Sequence, residues 1–220
     1  MAHFVFMLTH GDRTVEDAAA IVPTLADTGL RYIGFKDVGA DLARQREVTS
    51  IAHDVGFEVM LEVVSTTKEA ELASLQTAAE AGVDWVLGGT HGADTAGLLP
   101  DHVKYCPFPG QVVDHPSVLL GTIDEIADDA EQLTGLDHVA GLDLLAYRHP
   151  TADILELIRA VVQRSSGPVI VAGSIASIDR AIAVGEAGAW GYTIGSAIFD
   201  GLLPGAPSVA DQVRRVIEET

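Results

Sequence analysis

Two stretches near the C-terminus share one pattern: Val169-Ile-Val-Ala-Gly-Ser-Ile-Ala-Ser177 and Ala189-Trp-Gly-Tyr-Thr-Ile-Gly-Ser-Ala-Ile-Phe-Asp-Gly201. Each is an apolar strand that ends in Gly-Ser and leads into a helix. Gly173 and Gly195 permit a sharp turn and a close approach of the backbone to a ligand. Two helix N-termini side by side offer unpaired N–H groups to an anion, usually phosphate. We therefore predict that Gly173, Ser174, Gly195 and Ser196 bind phosphate; the alternative is two ordinary strand-to-helix turns.

The rest of the chain repeats the same unit of a strand followed by a helix, eight times in all. Thr14 is the predicted cap of the first helix, and Thr122 with Glu125 has the spacing of a capping box. A long loop over residues 108–121 is expected to cover the top of the fold, because prolines and a glycine interrupt the pattern there. The sequence predicts one (β/α)8 barrel domain over residues 1–220. The other predicted strands cover residues 3–9, 31–36, 57–64, 84–90, 103–108 and 138–146.

The composition excludes several classes of function. Thirteen basic residues against 32 acidic ones give a net charge of −19, which disfavours binding to nucleic acid or to an anionic membrane. No apolar run is long enough to cross a membrane, and the N-terminus is predicted to be a strand, not a signal peptide. The single cysteine, Cys106, is typical of a reducing compartment. We expect a cytoplasmic protein.

The two Gly-Ser strand ends resemble the phosphate-binding strands of the ribulose-phosphate-binding barrels. In that superfamily, which includes the isomerase and cyclase of histidine biosynthesis, the seventh strand ends in Gly-Gly-Ile or Gly-Ser-Ile. Its eighth strand ends in Gly-Ser or Gly-Lys followed by alanine. Here the matching segments are Ala172-Gly-Ser-Ile175 and Ile194-Gly-Ser-Ala-Ile198. The resemblance implies a (β/α)8 barrel that binds a phosphorylated metabolite, as in carbohydrate metabolism.

Alternation along three strands directs charged side chains into the top of the barrel. On residues 31–36 the bulky Ile33 and Phe35 share one face, so Lys36 falls on the other. The same alternation places Glu62 on the inner face of the strand at residues 57–64, and Asp143 on the inner face of the strand at residues 138–146. Inward residues at the C-terminal ends of barrel strands meet the substrate, and a buried charge is costly unless it is paired or used. Lys36, Glu62 and Asp143 are therefore the predicted catalytic residues. For Asp143 the alternative is a structural aspartate in the N-terminal layer of the barrel.

The neighbourhood of Lys36 resembles a second family of barrels. In the lysine-dependent (5-formylfuran-3-yl)methyl phosphate synthase the second strand ends in Asp-Val-Lys-Asp/Asn-Pro, and its lysine forms a Schiff base with a triose phosphate. Here the segment is Gly34-Phe-Lys-Asp-Val-Gly39, without the proline. The resemblance implies that Lys36 is a nucleophile. The alternatives are a catalytic acid or base, and an ion pair with Glu62 that only rigidifies the barrel.

Further polar residues lie on the predicted loops at the same end. Arg148 follows the sixth strand with Tyr147 and could clamp an anionic group, or be a solvated loop residue. His91 could act as an acid after the fourth strand, or be a surface histidine. The histidine-pathway isomerases place an aspartate at the end of the first strand, where this chain has Thr9-His-Gly-Asp12. No spacing of His, Asp and Glu indicates a metal site, and no cofactor is expected.

These features predict an enzyme that acts on a small phosphorylated sugar or keto compound. Isomerisation or epimerisation is the first hypothesis: Lys36 would stabilise an enediolate oxygen while Asp143 or Glu62 moves the proton. The alternatives are a Schiff-base lyase or aldolase that uses Lys36, and a non-catalytic barrel that binds a phosphorylated metabolite. The apolar segment 199–207 is either a homodimer interface or the start of a helix.

Overall fold

The computed structural model describes residues 1–65, 67–203 and 208–220. Eight of the strands in this part of the chain form one parallel sheet, in the order β10-β11-β12-β1-β4-β5-β6-β7. The strands are β1 (His3–Met7), β2 (Thr9–His10), β3 (Arg13–Thr14), β4 (Tyr32–Lys36), β5 (Glu58–Val63), β6 (Trp85–Gly88), β7 (Lys104–Cys106), β8 (Gln111–Val113), β9 (Val118–Leu120), β10 (Leu142–Leu144), β11 (Val169–Val171) and β12 (Gly191–Ile194).

The sheet curls into a nearly closed barrel. Its two edges meet where the Ala140 N–H donates to the Tyr105 carbonyl at 2.8 Å and the Asp143 N–H donates to the Pro107 carbonyl at 3.0 Å. The alternation of strands and helices confirms the predicted (β/α)8 barrel. The helices are α1 (Ala18–Ile21), α2 (Leu42–Val55), α3 (Lys68–Ala81), α4 (Ile123–Thr134), α5 (Ile154–Arg164), α6 (Ile178–Glu186), α7 (Ser196–Phe199) and α8 (Val209–Glu219).

Two apolar clusters build the core, one on each side of the barrel wall. The larger lies between strands and helices and includes Ile33 and Phe35 of β4. The smaller fills the lumen and includes Met60 and Trp85. Because successive side chains of a strand point to opposite faces, this division places Lys36 on the lumen side, as predicted. None of the helices in the described residues is long and apolar enough to cross a membrane.

The first helix does not begin where the sequence predicted. Thr14 belongs to a hairpin between β2 and β3, and α1 begins only at Ala18. The Thr14 hydroxyl donates to the Lys36 carbonyl at 2.7 Å and accepts from the Lys36 N–H at 2.9 Å. The predicted N-cap is wrong because contact with the end of β4 takes the hydroxyl that would have capped the helix.

The loop predicted over residues 108–121 is also more ordered than expected. Strands β8 and β9 form an antiparallel hairpin, with Gln111 opposite Leu120 and Val113 opposite Val118. Thr122 then caps α4 in a capping box with Glu125, as predicted. Of the apolar segment 199–207, residues 204–207 lie outside the described residues, so the proposed homodimer interface stays a prediction.

Candidate active site

A cavity of about 360 Å³ opens at the C-terminal end of the barrel. The predicted phosphate residues Gly173, Ser174, Gly195 and Ser196 line one side of it, and Lys36, Glu62, Asp12 and Arg148 line the other. Barrel enzymes carry their active sites at this end of the strands. Seven residues of the predicted site thus line this cavity. Asp143, the eighth, faces the same lumen but is fully buried and lies outside the lining.

Lys36 lies between two carboxylates. Its Nζ is 2.7 Å from Asp12 Oδ1 and 3.4 Å from Glu62 Oε1, and its side chain is only 5% exposed. Burial lowers the pKa of Lys36, but the charges of Glu62 and Asp12 outweigh burial, so the pKa is raised above its usual value. Lys36 is therefore an ammonium group at neutral pH, able to stabilise a developing negative charge.

Asp12 joins the two cations of the site. It sits in the turn of the β2–β3 hairpin with a positive φ of 59°, next to Gly11 at 56°. Arg148 Nη2 donates to Asp12 Oδ1 at 2.7 Å, the same oxygen that accepts from Lys36. Burial raises the pKa of Asp12, but the Arg148 hydrogen bond and the Lys36 charge outweigh burial and lower it to about 2. Asp12 stays a carboxylate throughout the physiological range.

Asp143 is the most deeply buried charge-bearing residue of the site. It has no exposed surface, and neither carboxyl oxygen has a hydrogen-bond partner in the described residues. Burial raises the pKa of Asp143 well above its usual value, and the nearby charge of Glu62 adds to this effect. A raised pKa favours the protonated form of a carboxyl group, and a protonated carboxyl group can serve as a general acid.

The strand ends after β11 and β12 form the other half of the cavity. The backbone N–H groups of residues 173–176 donate no hydrogen bond to any residue in the described ranges. Ser174 adopts a positive φ of 58°, and its carbonyl accepts from Arg180 Nη1 at 2.7 Å. The guanidinium of Arg180 also lies over the Tyr147 ring, 4.9 Å from its centre. Unpaired N–H groups next to an arginine make a favourable environment for an anion.

The hairpin connects the two halves of the cavity. The Gly11 N–H donates to Ser196 Oγ at 3.2 Å, while the neighbouring Asp12 contacts Lys36. At the far wall, Arg148 packs against Gly173 so closely that a Cβ at Gly173 would collide with Arg148 Nε. A Cβ at Gly195 would likewise collide with the Thr9 hydroxyl. Glycine is therefore required at both positions for close packing.

Two of the predicted substrate contacts lie away from the cavity lining. His91 Nδ1 is 2.7 Å from Glu71 Oε2, and the fully buried Glu71 also accepts from the His91 N–H. His91 thus holds the loop after β6 onto α3. Tyr147 contacts Arg180 and is not part of the lining. Among the described residues no group of three or more His, Cys, Asp or Glu side chains has the arrangement of a metal site.

Several lining residues were not among the predicted site residues, and two of these, Asp12 and Arg180, make contacts that shape the site. Asp12 could have been found from the dipeptide Gly11-Asp12, since Gly-Asp is a typical composition of a two-residue hairpin turn. Arg180 carried a weaker signal, its position in the first turn after the Gly-Ser strand end. Its neighbour Ser177 caps α6 by accepting from the Arg180 N–H at 3.3 Å, and this cap places the arginine at the cavity.

Comparisons with known proteins identify the fold. No protein-family model and no curated protein matches the sequence. Among solved structures, orotidine 5′-phosphate decarboxylase from Pyrococcus horikoshii OT3 superposes with a TM-score of 0.69 at 16% identity, over 98% of each chain. A native KDPGal structure gives 0.66 at 15% identity, over 98% of this chain and 93% of that one.

An HpcH/HpaI aldolase from Desulfitobacterium hafniense DCB-2 gives a TM-score of 0.64 at 12% identity, over 91% of this chain and 88% of that one. At identities this low the likeness establishes the fold alone. These neighbours are TIM-barrel proteins, so the chain has the (β/α)8 fold that its sequence predicts.

Proposed function

We propose that this protein is an enzyme that moves a proton next to the carbonyl group of a small phosphorylated sugar or keto compound, as in isomerisation or epimerisation. One observation carries the proposal: the Lys36 ammonium, set between Asp12 and Glu62, shares a cavity with the unpaired N–H groups of residues 173–176. A compound with a phosphate at one end and a carbonyl group a few atoms away would use both features at once.

The phosphate would lie on the strand ends after β11 and β12. The net charge of −19 repels an anion at long range, so recognition has to be local. The N–H groups of residues 173–176, the Ser196 hydroxyl and the Arg180 guanidinium supply donors at short range, where solvent screens less. Helix α7 is only four residues long, so its hydrogen-bond donors would matter more than its dipole.

The reacting carbon would lie beside Lys36. A carboxylate, Glu62 or Asp12, would take the proton from the carbon next to the carbonyl, and the electron pair left behind would form an enediolate. The charge on its oxygen would be stabilised by Lys36, which remains an ammonium group. Asp143, whose raised pKa favours its protonated form, would give a proton to the adjacent carbon while the hydroxyl proton passes to the enediolate oxygen. The proton left on the carboxylate that acted as base would then pass to Asp143, so that both carboxyl groups return to their starting states. Every group in this sequence is within the barrel lumen or its mouth.

A Schiff-base lyase or aldolase is the second candidate. Lys36 Nζ faces the cavity, and one neighbour in fold is named an aldolase. This chemistry needs a neutral amine to attack the carbonyl carbon, whereas the raised pKa of Lys36 favours the ammonium form. A purely binding role is the third candidate; the buried Asp143 argues against it, because a binder gains nothing from an unpartnered acid in its lumen.

One experiment separates the three functions. The protein is incubated in D₂O with a pool of triose, tetrose, pentose and hexose phosphates, with and without borohydride. Deuterium on a substrate carbon, without a protein mass gain, would support proton transfer. A mass gain that disappears in Lys36→Met would establish the Schiff base instead. If neither deuterium nor a mass gain is found but calorimetry shows phosphate binding, the protein has a purely binding role. Lys68→Met, at an exposed lysine on α3, is the control.

A further inference from the structure

A second cavity of about 230 Å³ lies at the same end of the barrel. Its walls come from the segment after β5, which contains Val64 and Ser65, and from the β8–β9 hairpin. Arg148 lies between the two cavities: it lines the first, and its Nη1 donates to the carbonyl of Ser117, which lines the second, at 3.3 Å. The second cavity is therefore the next space along the barrel mouth from Lys36 and Glu62.

The lining of the second cavity differs from that of the first. Four of its lining residues are apolar: the buried Val64 and Phe108, and the half-buried Val112 and Val113. The only charged side chain among the described lining residues is Asp114, and no lysine or arginine is among them. A second phosphate would thus meet a carboxylate and no free cation, because Arg148 already pairs with Asp12. Hydroxyl groups on a carbon chain match this lining better.

Backbone strain provides an independent indication of function. In the described residues, only three non-glycine residues have a positive φ: Asp12 at 59°, Ser174 at 58° and Asp114 at 63°. Asp12 and Ser174 line the first cavity and Asp114 lines the second. Such conformations are unfavourable for L-residues and tend to cluster at functional sites. Asp114 shares this property with two residues of the candidate active site.

We propose that the second cavity binds the distal end of the substrate. The inference rests on the proposed function and narrows its substrate class to a monophosphorylated keto compound whose chain continues beyond the carbonyl as hydroxylated carbons without a second anion. A water molecule occupies about 30 Å³ of liquid, so the second cavity has room for roughly seven groups of that size. A triose phosphate would leave it empty.

Calorimetry with three matched probes tests this assignment: dihydroxyacetone phosphate, xylulose 1-phosphate and xylulose 1,5-bisphosphate. The second carries extra hydroxylated carbons on the same phosphate and keto group, and the third adds a distal phosphate. We expect xylulose 1-phosphate to bind at least tenfold more tightly than dihydroxyacetone phosphate and than xylulose 1,5-bisphosphate. Equal affinities for xylulose 1-phosphate and xylulose 1,5-bisphosphate would overturn the inference.

Two variants locate the effect. Val112→Trp fills the second cavity, so it should remove the tenfold advantage of xylulose 1-phosphate and leave the affinity for dihydroxyacetone phosphate unchanged. Val118→Trp, on the other strand of the hairpin and outside the lining, is the matched control. Asp114→Asn keeps a residue that tolerates positive φ and should improve bisphosphate binding at least threefold.

The outcomes also distinguish this inference from the proposed function. Binding of inorganic phosphate with no effect of Val112→Trp or Asp114→Asn would overturn the distal subsite and leave the proposed function standing. If neither inorganic phosphate nor any of the three probes binds to the protein, the proposed function and the distal subsite are both overturned.

Discussion

Asp12 and Lys36 form a 2.7 Å ion pair between the turn of a hairpin and the end of a barrel strand, with side chains only 16% and 5% exposed. Together with the larger effect of the Glu62 charge, the pair keeps Lys36 protonated where burial alone would favour the neutral amine. It also decides between two chemistries for the same lysine, because an ammonium group stabilises an enediolate and an amine attacks a carbonyl.

Replacing Asp12 by asparagine should reveal this dependence. Without the carboxylate the pKa of Lys36 falls, so the alkaline limb of the kcat profile should move to lower pH. We expect kcat to fall by about 10²-fold, the order of a lost acid–base contribution. The profile of kcat against pH is measured with the sugar phosphate that takes up deuterium in the D₂O experiment. Asp200→Asn, at an exposed lining carboxylate paired with His10, is the comparison; an unmoved alkaline limb would contradict the role of Asp12.

The same aspartate should stabilise the fold in a defined pH window. Its folded-state pKa of about 2 lies below the ordinary value of 3.8, so its contribution is fully present above pH 3.8 and is lost as pH falls towards 2. Since Asp12 lies at the cavity mouth, solvent screening limits the contribution to about 1–2 kcal/mol. Urea unfolding of Asp12→Asn and wild type should differ at pH 6 and converge near pH 2.

Asp143→Asn should have the opposite stability profile. The pKa of Asp143 is raised, so the folded state binds this proton more tightly than the unfolded chain does, and wild type loses stability as pH rises above 3.8. The asparagine variant does not titrate. Its advantage over wild type should grow by up to about 1.4 kcal/mol per pH unit until the folded-state pKa is reached, while turnover is lost. The free energies of unfolding of both proteins are measured in urea from pH 4 to 7. A constant difference between variant and wild type over this range would show that Asp143 carries no buried proton.

Gly173→Ala should impair phosphate binding beyond the effect of backbone strain. Gly173 has a φ of 77°, and a Cβ there would collide with Arg148. Gly56→Ala is the matched control, because Gly56 has a φ of 97° but open space around the added Cβ. Both variants should lose about 1 kcal/mol of stability. Only Gly173→Ala should weaken the binding of inorganic phosphate, by about tenfold. Equal phosphate affinities in the two variants would show that the contact between Gly173 and Arg148 has no role in phosphate binding.

Arg180→Ala should weaken phosphate binding by about 10- to 100-fold, the range of a lost hydrogen bond to a charged group. The residual binding should depend less on salt, since one cation has been removed. Arg46→Ala is the control because Arg46 pairs with Glu80 on the exposed helix surface. Unchanged calorimetric affinity in Arg180→Ala would place the phosphate elsewhere.

The sequence predicted those parts of the site that depend on local alternation. Lys36, Glu62 and Asp143 lie on the lumen side because a strand turns alternate side chains to opposite faces, and this period can be read from neighbouring residues. The Gly-Ser strand ends were likewise recognisable, since Gly173 and Ser174 carry the turn within their own sequence. His91 was less accessible to prediction, because its partner Glu71 lies 20 residues earlier on a helix.

By itself, the sequence determined the barrel fold, the inward face of each charged strand and the two Gly-Ser strand ends, because each follows from hydrophobic period and turn composition over a few residues. Only the tertiary structure decided which charges meet. Asp12 and Arg148 are 136 residues apart and pair because barrel closure brings the loops after β1 and β10 to one mouth. Glu62 on the neighbouring strand and Asp12 in the hairpin keep Lys36 protonated, since the energy of a buried charge depends on the partners that folding places around it.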